Sequence, residues 1–83
     1  MNDSQLLRET ILGIVENQIR ENNPPAAKET FDRLISEGYS QDEARRLIGC
    51  VVTSEVFDIF KTRQPYNEDG YVSALRRLPV LPE

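Results

Sequence analysis

Glu55 and Gln18 are the residues whose positions raise a chemical question. Projected at about 100° per residue, both polar side chains fall inside apolar helix faces. Gln18 lies among Leu7, Ile11 and Ile14, and Glu55 among Ile48, Val51, Val52 and Ile59. An isolated buried carboxylate is costly, so Glu55 must be paired, protonated or open to water. Two readings follow. In one, Glu55, Gln18 and Tyr71 line an interhelical cleft and bind a small molecule or ion, with the Glu55 pKa raised. In the other, Glu55 makes a structural hydrogen bond across the bundle to Gln18, a Tyr or an Arg. No catalytic partner stands beside it in sequence. The 83 residues contain no His, which removes the usual metal ligand and the usual general base. The single cysteine, Cys50, permits neither an internal disulfide nor a cysteine zinc site. It reads as a small buried apolar residue, because no basic neighbour on its helix activates the thiol. No catalytic residue, metal or cofactor is assigned, and the chain is read as a non-enzyme.

The elements that position these residues are all helical. Apolar residues recur at helical spacing, and no segment sustains the alternation of a strand. The sequence predicts a compact all-α four-helix domain, with helices at about 4–22, 25–37, 41–62 and 68–77 and an extended tail at 78–83. Asp3 or Ser4 is the expected cap of the first helix. Pro24 and Pro25 separate it from the second, and Gly38 supplies a left-handed stop. Ser40-Gln41-Asp42-Glu43 is a capping box, with Tyr39 and Ala44 placed as a hydrophobic staple. The third helix carries Ala44, Leu47, Ile48, Val51, Val52, Val56, Ile59 and Phe60 inward and forms the expected spine. Asn67 caps the fourth, which faces Tyr71, Ala74, Leu75 and Leu78 to the core.

Off that main face, the third helix presents Gly49, Cys50, Thr53 and Phe57. Three small residues beside one aromatic anchor suit close approach of another helix. This stripe is either an interface for a partner or a second copy, or a surface wrapped by helices 1 and 4. Hydrophobic residues make up 39% of the chain and charged residues 29%, enough to bury one small core. Such a core rarely supplies more than about 3–5 kcal/mol alone, so association is expected to add stability. Arg33 to Ala44 has the outline of a helix-turn-helix. Its would-be recognition helix opens on Asp42 and Glu43, and the net charge is −4. Nucleic acid is therefore not an expected partner. No apolar run approaches a membrane span and no signal-peptide pattern opens the chain, so the expected location is cytoplasmic.

Gln18, Pro24, Glu43-Ala44, the stretch from Val56-Phe57 through Pro65 to Tyr71, and Leu75-Arg76-Arg77-Leu78 carry a resemblance. Over Ile11 to Leu78 the chain resembles the C-terminal part of a bacterial family of conserved proteins of unknown function. The resemblance implies an all-helical fold and a bacterial cytoplasmic setting. Family members carry His residues where this chain has Leu12 and Arg46, so no metal or acid–base role transfers. On these grounds the chain is read as a protein-interaction module, a homodimer or a small regulatory subunit. A Glu55–Gln18 binding cleft is the alternative.

Overall fold

The computed structural model describes residues 3–82 as four helices: α1 Asp3–Glu21, α2 Pro25–Ser36, α3 Gln41–Thr62 and α4 Glu68–Arg77. No strand occurs among the described residues, and the fold is all-α. At 22 residues α3 is the longest helix.

Local chemistry explains each boundary. α1 is already helical at Asp3, so neither Asp3 nor Ser4 is its cap, and the capping position lies outside the described residues. Asp3 instead sits in the first turn, where the helix dipole favours a carboxylate. α1 stops when Asn22 turns left-handed at φ 54°. The Asn23 amide then bonds to the Gln18 carbonyl at 3.1 Å and the Asn22 amide to Ile19 at 3.3 Å. That is a Schellman closure, with Asn as the side chain that best tolerates the conformation after Gly. α2 ends the same way. Gly38 takes φ 103°, the Tyr39 amide reaches Leu34 at 3.1 Å, and the Gly38 amide reaches Ile35 at 3.0 Å. One residue later Ser40 opens α3. Its hydroxyl accepts the Glu43 amide at 3.0 Å, and its own amide donates to the Glu43 carboxylate at 2.9 Å. Those bonds hold the Glu43 carboxyl below its ordinary pKa. Asn67 accepts the Gly70 amide at 3.1 Å and opens α4.

The tail departs from expectation. It does not run out straight, because the Val80 amide bonds back to Arg77 at 2.9 Å and turns the chain against the end of α4. Leu78, just before that turn, is buried in the core as the α4 spacing predicts.

α3 packs against all three other helices as the expected spine, and α2 does so as well, whereas the α1 and α4 backbones do not meet. Ala26, Ala27 and Leu34 of α2 join Ile11, Val15, Ala44, Ile48, Val51, Val52, Tyr71, Leu75 and Leu78 in one core. Ala26 and Ala27 let α2 sit close enough to share the centre. Arg45 ties three helices: it pairs with Glu16 of α1 at 2.8 Å and lies over the Phe31 ring of α2 at 5.2 Å. Arg33 of α2 donates to the Leu75 carbonyl at 3.2 Å, satisfying an acceptor in the last turn of α4.

Candidate functional site

α1 and α3 run side by side in opposite directions, with Glu16 level with Arg45 and Ile11 level with Gly49. A Cβ on Gly49 would stand 3.4 Å from the Ile11 side chain, so the bare backbone lets α1 lie directly on α3 there. The contact line buries Gly49 but passes to one side of Cys50, which is exposed. Cys50 is therefore not the core residue its sequence context predicts.

Beside that contact opens a groove of about 640 Å3. α3 supplies Arg46, Gly49, Cys50 and Thr53 to its wall. Leu7, Ile11 and Leu12 of α1 form the apolar opposite side, with Arg8 at the edge. Leu7, predicted to face the core, is 55% exposed here. Thr53 is half-buried, and its hydroxyl donates to the Gly49 carbonyl at 2.9 Å, so it brings no unmet polar group to the wall.

Further along α3 the helix outruns its cover. Phe57 is 64% exposed and Phe60 77% exposed, with Val56 beside them. Val56, Ile59 and Phe60 were expected in the core. Buried positions on α3 end at Val52, and beyond it Ile59 is half-buried while Val56 and Phe60 are exposed. Arg46, Cys50, Thr53, Phe57 and Phe60 follow the four-three spacing of a helix seam. The stripe of Gly49, Cys50, Thr53 and Phe57 is thus divided. α1 covers Gly49, Thr53 is half-buried, and Cys50 and Phe57 remain open.

The second predicted group assembles in part. The Tyr71 hydroxyl donates to the Gln18 amide oxygen at 2.6 Å and bridges α4 to α1, whose backbones are otherwise apart. Burial of Tyr71 pushes its phenol well above the ordinary range, and neighbouring Tyr66 adds to the shift. The two rings lie 6.1 Å apart at a tilt of 58°. Glu55 is half-buried, and its carboxyl is raised first by burial and then by the charge of Asp58. Its charge reaches both Tyr66 and Tyr71. The bond that Gln18 makes goes to Tyr71 and not to Glu55. None of these residues lines the α1–α3 groove. Tyr66 belongs to this cluster and was not singled out from sequence, since it sits outside any helix. Its aromatic position just before the Asn67 cap was the available signal.

Among the described residues no group of three or more Cys, Asp or Glu side chains is placed to hold a metal ion. No helix among them is long and apolar enough to cross a membrane. Comparison with protein-family models, curated proteins and solved structures found no match to this chain.

Proposed function

We propose that this protein is a non-enzymatic protein-interaction module that docks its partner on the face formed by α1 and the second half of α3. One observation carries the reading: Phe57 and Phe60 stand exposed in line with an open apolar groove. Contiguous exposed apolar surface of this kind marks interaction sites in small proteins. The setting we assign is the bacterial cytoplasm, supported by the family resemblance of Ile11 to Leu78. Nucleic acid is not the assigned partner, given the net charge of −4.

The test is photo-crosslinking in the cells that make the protein. A benzophenone amino acid replaces Phe57 in one variant and exposed Glu29 of α2 in another. The reading expects a discrete adduct from position 57 and none from position 29. Equal labelling, or none from either site, would remove it.

A further inference from the structure

The charges of α3 are sorted between its flanks. Asp58 acts on Glu55, and the Glu55 charge reaches Tyr66 and Tyr71, so both acids of the second half belong to the tyrosine side. In the first turn, Glu43 is bonded to the Ser40 amide and Asp42 stands 4.0 Å from Arg45. The groove side is left with cations. Among the described residues that line the groove, the charged ones are Arg8 on the α1 bank and Arg46 on the α3 bank. Lys61 follows Phe57 by one helical turn on the same side. All three cations are exposed, and none joins an ion pair among the described residues, although the Glu43 charge acts on Arg46 from a distance. Arg45, on the covered side, is instead paired with Glu16. A chain of net charge −4 thus borders its apolar strip with unpaired positive charge.

We propose that the segment docking on this face is an acidic amphipathic helix of a partner protein, its apolar stripe on the groove and the two phenylalanines and its carboxylates against Arg8, Arg46 and Lys61. This deepens the interaction reading and rests on it. Backbone chemistry selects a helix. The groove walls are helices whose backbone groups are already bonded within themselves, so an extended segment finds no edge to pair with, whereas a helix satisfies its own. Length agrees. From Arg46 to Phe60 the strip runs 14 residues along α3, about 21 Å, or four helical turns. Ile11 lies beside Gly49, and the opposite run of α1 then sets Arg8 level with Thr53. Arg46 and Arg8 are therefore about 10 Å apart along the groove, and Lys61 is about 12 Å beyond. Acids seven or eight residues apart on the partner match those intervals. A bilayer would meet the phenylalanines but not the groove between the helices.

The experiment takes the full chain in the cells that make it, with the benzophenone side chain at position 57, and sequences the linked segment by mass spectrometry. The segment should carry a helical apolar period with Asp or Glu at those intervals. Arg8→Glu combined with Arg46→Glu should reduce the adduct about tenfold, the scale of two exposed ion pairs replaced by repulsion. Lys28→Glu combined with Arg76→Glu makes the same change in net charge away from this face and should leave the adduct intact. All four side chains are exposed, so both variants should keep their helical circular dichroism. An acidic segment lost on charge reversal at Arg8 and Arg46 supports the proposal. A neutral or basic segment, a second copy of this chain, or an adduct that survives that reversal overturns it and leaves the interaction reading standing. An adduct to lipid, or none at all, removes both.

Discussion

At the scale of single residues, Tyr71 and Glu55 show how one neighbourhood favours the protonated form of two different groups. Tyr71 is buried with its hydroxyl bonded to Gln18. Tyr71→Phe removes that bond and leaves a half-buried amide oxygen without it, so a loss of about 1–2 kcal/mol is expected in denaturant unfolding. The pH dependence follows from its raised phenol pKa. Above the ordinary value of 10.0 the unfolded chain ionises while the folded chain holds its proton. The unfolded state then binds fewer protons, and stability falls as pH rises through that region. Tyr71→Phe should flatten this alkaline decline. Glu55 is also raised, so its unfolded form ionises first, and stability is lost as pH climbs from 4.5 through the folded value. Glu55→Gln should therefore raise the melting temperature at neutral pH. That gain should vanish below about pH 4, where both states carry the proton. A gain independent of pH would mean that desolvation of the Glu55 charge is not its source. The polarity of Gln18 and Glu55 inside apolar faces was legible in the sequence. Their partners were not, because periodicity along one helix cannot say which distant side chain arrives opposite.

At the scale of elements, the turn chemistry was the most legible part. Gly38, Ser40 and Glu43 act within three or four residues of themselves, so their bonds are local and their sequence spacing is nearly the structure. The junction between α2 and α3 combines a Schellman closure with a capping box across Gly38 and Ser40. Ser40→Ala should cost about 1 kcal/mol in chemical unfolding, with Ser40→Asp close to wild type because it restores the acceptor. Equal losses from both would argue against the cap. Packing was less legible. The apolar period of α3 continues through Val56, Ile59 and Phe60, yet only its first three turns are fully covered. An apolar period marks a face that avoids water and does not say whether a helix of the same chain covers it. Leu7 and Ile14 of α1 illustrate the same limit, since both remain substantially exposed. α2 was underestimated for a related reason. Its alanines look modest in sequence, but small side chains at a crossing bring the helix into contact with all three others.

At the scale of the whole molecule, the four helices close one core and leave one edge open. The chain measures 35 × 34 × 25 Å, a flattened shape with more surface than a sphere of its mass. The open edge is where α3 passes beyond α1 and exposes its aromatic end. A partner docked there would cover both the groove and Phe57. Leu7, exposed on the opposite wall of the groove, belongs to the same face. The decisive measurement is the photo-adduct formed from a benzophenone side chain at position 57 in the cells that make the protein. The account predicts a discrete adduct that is lost when Leu7→Asp places a charge on the groove wall. No adduct, or one that Leu7→Asp leaves unchanged in a protein that remains folded, would contradict it.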